Sequence, residues 1–231
     1  MNVVITGASQ GIGKAIAEKF ASSGADLFLC SRNMDKLNTW QKDLMAKYKI
    51  RISAFNADLS LKDDVLAFGD AVLKAWDRVD ILVNNAGSFE PGNVYNEPEG
   101  NLEKMIGLNL YAAYHLTRKL LPLMMEKKKG HIFNICSIAS LKAYPGGGSY
   151  SISKFALEGF SKNLREEMKP FGIRVTSIHP GAVFTRSWEG FTERSRIMEV
   201  SDVAELVYSA SRLSPNACVE EIIVRPQLGD L

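Results

Sequence analysis

The sequence predicts an α/β fold: one doubly wound domain over residues 1–231, a mostly parallel seven-stranded sheet with helices on both faces. Three observations predict it. Short runs rich in valine and isoleucine alternate with longer stretches whose apolar residues keep helical spacing, such as Ile12, Ile16 and Phe20. The strand runs are mostly apolar on both sides, as a sheet covered twice requires. A glycine-rich turn separates the first run from the first helical stretch, where an open α/β sheet binds its ligands.

Taken in order, the first run is Val3–Thr6, entered directly from the Met-Asn start. Ala25–Cys30 follows the first helical stretch, and Arg51–Ala57 the second. Val79–Asn84 is the fourth strand. Gly130–Cys136 is the fifth, and the basic run Lys127–Lys129 before it reads as a solvated helix end, where the macrodipole favours cations. Arg174–His179 and Ala217–Val224 complete the sheet, with a helix at Ser201–Leu213 between them. Strand, helix and strand repeated in this way imply parallel pairing through right-handed crossovers. The least regular segment, about 186–199, is charged yet carries Trp188 and Phe191; a substrate lid and a plain surface loop both suit it.

Composition narrows the function. Hydrophobic residues make up 46% of 231 and the net charge is only +2, as in an ordinary globular protein with no nucleic-acid patch. Cys30, Cys136 and Cys218 lack metal spacing and read as buried thiols in a reducing compartment. His115, His131 and His179 show no ligand spacing either and read as structural, which sets aside a hydrolase triad and a metal centre. No apolar run approaches the length of a membrane span, and no charged leader precedes the first strand, so the expected location is the cytoplasm.

The turn reads Thr6-Gly7-Ala8-Ser9-Gln10-Gly11-Ile12-Gly13. Glycines allow unusual backbone angles and remove side chains that would block a pyrophosphate, which free amides and a helix N-terminus then hold. At the end of the second strand, where an acidic residue would meet the ribose hydroxyls of NAD, the chain has Ser31-Arg32-Asn33. No carboxylate there repels a phosphate, and the Arg32 guanidinium can pair with one, which points to NADP(H).

Tyr150 and Lys154 stand four apart, so on a helix they share a face. A free phenol titrates near ~10, and a neighbouring ammonium favours the phenolate, so the expectation is a lowered Tyr150 pKa. Such a phenol could pass a proton to a carbonyl oxygen as hydride arrives, or take one from an alcohol. Ser137, at a strand's carboxyl end, offers a hydroxyl to the same oxygen.

Asn84-Asn85-Ala86-Gly87, Asn109 within a helical stretch, Ser137, Tyr150-Ser151-Ile152-Ser153-Lys154 and Pro180-Gly181 with Thr185 follow the glycine turn in order. In order and spacing, residues 2 to about 185 resemble the short-chain dehydrogenase/reductase family, whose fold is a Rossmann-type sheet. The resemblance implies a catalytic set of Asn109, Ser137, Tyr150 and Lys154. It also implies that Lys154 bonds the nicotinamide ribose and that Asn109 holds a water linking the lysine to solvent. Asp58, beside Leu59, would bond the adenine amino group, and Asn85, Ala86 and Gly87 would line the adenosine side. Val183 and Thr185 would lie at the nicotinamide with Pro180 and Gly181. A homodimer or homotetramer is implied through the helices carrying Asn109 and Tyr150.

By the same resemblance, the loops after Ser137 and after Gly181 wall the substrate, offering Leu141, Tyr144, Phe184 and Trp188. That lining suits an apolar or flat carbonyl compound better than a small charged acid. The expected reaction is NADPH-dependent carbonyl reduction. A 3-oxoacyl-thioester reductase is the alternative, although the ending Val224-Arg225-Pro226-Gln227-Leu228-Gly229-Asp230-Leu231 departs from the strand and Asp-Gly-Gly close usual there. A dinucleotide-sensing protein without turnover is the non-enzymatic reading.

Overall fold

A computed structural model describes residues 1–188 and 190–230. Seven strands form one sheet: β1 (Asn2–Thr6), β2 (Asp26–Ser31), β3 (Ile52–Asn56), β4 (Ile81–Asn84), β5 (Gly130–Ile135), β6 (Ile173–Pro180) and β7 (Glu221–Val224). Their order is β3-β2-β1-β4-β5-β6-β7, and every pairing is parallel. The direction of winding reverses between β1 and β4, so the crevice of a doubly wound sheet opens above those two strands.

Alternate side chains of each strand enter opposite cores, as a period of two demands. Val3 and Ile5 of β1, Ile81 and Val83 of β4, and Phe133 and Ile135 of β5 pack on one face. They meet α1 (Gly11–Ser22), α2 (Met34–Tyr48) and α7 (Val200–Ser211) through Ile16, Phe20, Leu37, Val203 and Val207. Val4, Leu82 and Ile132 point the other way. Their partners are Phe68, Leu116, Leu120 and Leu164 of α3 (Lys62–Ala75), α5 (Ala112–Lys127) and α6 (Gly148–Met168). The short helix α4 (Asn101–Ile106) runs into α5 through one wide π-type turn, Gly107–Tyr111.

Most element ends fall within a residue or two of the sequence reading, and three features add to it or depart from it. The last strand starts at Glu221, because the preceding stretch is clasped by side chains: Arg174 donates to the Ala217 carbonyl at 3.2 Å and Thr176 to that of Val219 at 2.5 Å. Asn109 lies in the π-type turn, whose widened backbone turns its side chain inward to a buried position. The segment 186–199 is not irregular throughout. The Phe184 amide bonds the Met198 carbonyl at 2.9 Å and the Met198 amide bonds that of Ala182 at 3.0 Å, so its far end is pinned beside β6.

Candidate active site

The glycine turn is built around contacts that tolerate no side chain. Gly7 and Gly11 have positive φ, 64° and 58°, a region other residues enter at a cost. A Cβ on Gly13 would lie 2.5 Å from the Gly7 carbonyl oxygen and 2.4 Å from Asn85 Nδ2. Asn85 explains that closeness: its side-chain amide donates to the carbonyls of Thr6 (2.9 Å) and Gly7 (3.1 Å). In return the Thr6 hydroxyl accepts from the amides of Asn85 and Ala86, each at 2.9 Å. The turn after β1 is thereby locked to the end of β4, leaving the first backbone amides of α1 free to face an anion.

Two cavities meet at Gly87 above these strand ends. The first, about 230 Å³, is bounded by Gly7, Ser9 and Gln10 of the turn, Ser31, Arg32 and Asn33 after β2, and Leu59, Ala86 and Gly87. Lys36 and Arg186 also reach it, and neither stood out in the sequence. Asn33 caps α2 by accepting from the Lys36 amide at 2.9 Å, which sets Lys36 one turn in, its ammonium 3.2 Å from Gln10 Oε1. Arg32 and Lys36 thus stand on the same rim as two exposed cations, at the N-terminus of a helix that itself favours anions. Asp58 does not line this cavity. Its carboxylate lies 3.9 Å from the Arg32 guanidinium. Burial works to raise its pKa, but bonds from Ser60 and the charge of Arg32 carry it net downward.

The second cavity, about 600 Å³, is bounded by Ile12, Asn85, Ser137, Tyr150 and Lys154, with Pro180, Gly181, Val183 and Thr185 opposite. Gly11 packs against Thr185, a Cβ there falling 3.4 Å from the threonine methyl. Of the expected wall residues, Tyr144 and Trp188 are present. Leu141 and Phe184 do not reach it: Leu141 caps the turn Ile138–Ser140, and the Phe184 ring is covered by Arg194 at 3.2 Å. Their places are taken by Phe89, Ile138, Ala139 and Ala143, with Lys142, Arg225 and Asp230 supplying charge at the edge. Phe89 meets the Tyr150 ring edge-on at 4.8 Å.

The four expected catalytic residues are brought together, three on the cavity and Asn109 behind it. Lys154 is buried, its ammonium donating to the Ile135 carbonyl at 2.8 Å and lying 5.9 Å from the centre of the Tyr150 ring. Asn109 accepts from the Ser88 amide at 2.9 Å and donates to the Ser153 hydroxyl at 2.9 Å, tying the end of β4 to α6. Its oxygen also explains Gly87, where a Cβ would stand 3.0 Å from it and 3.7 Å from Lys154 Nζ. The Ser137 hydroxyl accepts from the Ala139 amide at 3.1 Å, which leaves its own hydrogen free to donate into the cavity.

The expected lowering of the Tyr150 pKa is not met. Burial pushes the phenol up to about 12, against a smaller opposing pull from the facing Ser137 side chain. Burial also lowers Lys154 to about 8. Each group resists its charged form because the cavity wall is apolar.

The short chain dehydrogenase family matches residues 1–196. An uncharacterised oxidoreductase of Staphylococcus epidermidis is 31% identical over 225 residues, 96% of each chain. The sepiapterin reductase of Chlorobaculum tepidum is 32% identical, covering 99% of this chain and 97% of the relative. The crystal structure of a metagenomic short-chain oxidoreductase in complex with NADP superposes with a TM-score of 0.87 at 33% identity, covering 98% of this chain and 97% of that one. This chain belongs to the short-chain dehydrogenase/reductase family. It is an oxidoreductase acting between CH–OH and carbonyl groups, and the solved relative superposed on it holds NADP.

Proposed function

We propose that the protein is an NADPH-dependent carbonyl reductase for an apolar or flat carbonyl compound. The observation that carries this reading is a protonated phenol, Tyr150, and a free serine hydroxyl, Ser137, on the wall of one largely apolar cavity beside a glycine turn.

The residues present fit the cofactor. Gly7, Ser9, Gln10, Gly11, Ile12 and Gly13 would hold its pyrophosphate through backbone amides, with no Cβ in the way. Arg32 and Lys36 would pair with the 2′-phosphate, Ser31 and Asn33 flanking it and Leu59 standing toward the adenine, with Asp58 behind Arg32 outside the cavity. Ala86 and Gly87 would line the ribose side, and Pro180, Gly181, Val183 and Thr185 the nicotinamide side. When bound, reduced nicotinamide supplies a hydride to the carbonyl carbon. Tyr150 gives its proton to the carbonyl oxygen, and its high pKa keeps it in the acid form needed for reduction at neutral pH. Ser137 donates to the same oxygen and stabilises its developing charge. Lys154 stands ready to return charge and proton to the phenolate left behind, while Asn109 holds α6 and the Gly87 segment at fixed separation.

A flat ring suits a wall of Phe89, Tyr144 and Trp188, and the relative named as a sepiapterin reductase supports that shape of substrate. Residues 1–231 would act as one domain, in the cytoplasm. Exposed Leu102 of α4, Tyr111 of the turn carrying Asn109, and Ile152 and Phe155 of the helix carrying Tyr150 would form a homodimer or homotetramer face. Among the described residues no helix is long and apolar enough to cross a membrane.

The test is NADPH oxidation with sepiapterin, flat aromatic ketones, simple aliphatic ketones and 3-oxoacyl thioesters. Turnover fastest with the flat ketones is expected. Turnover fastest with the thioesters would contradict it, and tight NADPH binding with no carbonyl reduced would favour the sensing role.

A further inference from the structure

Ser137 and Tyr150 must aim at one oxygen atom, yet they sit on different elements, the end of β5 and the first turn of α6. What keeps them in register lies behind the cavity. Tyr150, Lys154 and Glu158 follow one another at intervals of four and share a stripe of α6. Glu158 is buried, its Oε1 3.5 Å from the Lys162 ammonium and its Oε2 3.3 Å from Nε2 of His179, which is fully buried at the end of β6; that last approach is an ion-pair distance without hydrogen-bond alignment. The other ring nitrogen, Nδ1, is 3.2 Å from the Ser137 carbonyl and 3.0 Å from the Ser140 hydroxyl. A carbonyl only accepts, so Nδ1 carries hydrogen and donates to it. Ser140 also donates to that carbonyl and accepts from the Ser137 amide at 3.2 Å. Two groups therefore fix the Ser137 backbone, and one of them, His179, packs against Glu158 of the tyrosine helix. Cys136 completes the group, its thiol donating to Glu158 Oε2 at 3.5 Å.

We propose that His179, packed against Glu158, is a positioning residue that sets the Ser137 hydroxyl relative to the Tyr150 phenol. The proposal rests on the reading of Ser137 as the donor to the substrate oxygen. A buried polar pair in this place would be costly if it did no more than fill space, since apolar side chains of similar size pack there without desolvation.

The experiment is a double-mutant cycle between His179→Leu and Ser137→Ala, assayed with NADPH and the best flat ketone. Deleting an oxyanion donor costs ~100-fold or more in kcat, and His179→Leu is expected to cost about a tenfold part of that. NADPH affinity should be unchanged, and the double variant no slower than Ser137→Ala alone. His179→Asn, whose side-chain amide can donate from near the Nδ1 position, should recover most of kcat. If His179→Leu fails to fold, the near-isosteric Glu158→Gln takes its place in the same cycle, with a smaller loss that also vanishes in the Ser137→Ala background. Losses that multiply, an unchanged kcat in His179→Leu, or no rescue by asparagine would overturn the positioning role. Full kcat in Ser137→Ala would instead remove the reading of Ser137, and this proposal with it. A stoichiometric metal ion held by Cys136, Glu158 and His179 would overturn it by giving the cluster another purpose.

Discussion

Burial acts on Lys154 and Tyr150 in opposite chemical senses, and the difference is useful to reduction. The phenol is kept as an acid, while the ammonium, lowered to about 8, is kept close to exchanging its proton near neutrality. Such a lysine weakens the free protein. Between its folded value of about 8 and the unfolded value of ~10.5, the unfolded chain binds more protons, so stability rises with pH in that window. The penalty is complete below pH 8 and gone above the unfolded value. Lys154→Met should therefore stabilise the cofactor-free protein by roughly 1–3 kcal/mol at pH 7 while abolishing turnover. Denaturant unfolding at pH 7 and pH 10 checks this; a variant less stable than the parent at pH 7 would show that the Ile135 carbonyl bond outweighs desolvation. Residues of this kind were legible where the chemistry is local. Ser137, Tyr150 and Lys154 carry their meaning in type and spacing. The pKa of Tyr150 did not, because it depends on Phe89 and the cavity wall that packing brings to it.

At the scale of elements, the proposed choice between dinucleotides falls to the start of α2. Its cap, Asn33, is within the expected Ser31-Arg32-Asn33 segment, but the second cation is one turn further and reaches the cavity beside Gln10. Spacing along the sequence gives Lys36 no such meaning, since a lysine on a polar helix is ordinarily a solvated charge. Each exposed charge–phosphate contact contributes about 1.5–3 kcal/mol when hydrogen-bonded, so Lys36→Ala should raise the NADPH dissociation constant about tenfold or more and leave NADH nearly unaffected. Arg32→Asp should do the same more severely, adding repulsion. Titration of both cofactors against both variants is the check, and equal losses for NADPH and NADH would remove the phosphate assignment. The substrate walls were read less well. Tyr144 and Trp188 reach the cavity, whereas Leu141 and Phe184 are turned away by a local cap and by Arg194, orientations that loop sequence does not encode.

Across the whole molecule, the sheet explains why so much was readable. Strands apolar on both faces and helices apolar on one stripe leave few ways to pack, and the described sheet matches in strand number and order of elements. The parallel pairing of all its strands also fixes where the site must be, at the carboxyl ends beside the reversal between β1 and β4. The Glu158–His179 pair escaped notice because its members stand 21 residues apart, on a helix and a strand that meet only in the folded sheet. The tail bearing Arg225 and Asp230 escaped for the same reason: it reaches the cavity by packing on Gly181, where a Cβ would lie 3.1 Å from Pro226 and 3.4 Å from Asp230.

The claim beneath all of this is that a buried phenol delivers the proton. The most direct measurement is the turnover of Tyr150→Phe with a saturating ketone, paired with its NADPH dissociation constant. Loss of general acid catalysis lowers kcat by ~10²–10⁴-fold, and with the ring retained the NADPH affinity should stay at the parent value. A Tyr150→Phe enzyme that turns over within a few-fold of the parent would contradict the account.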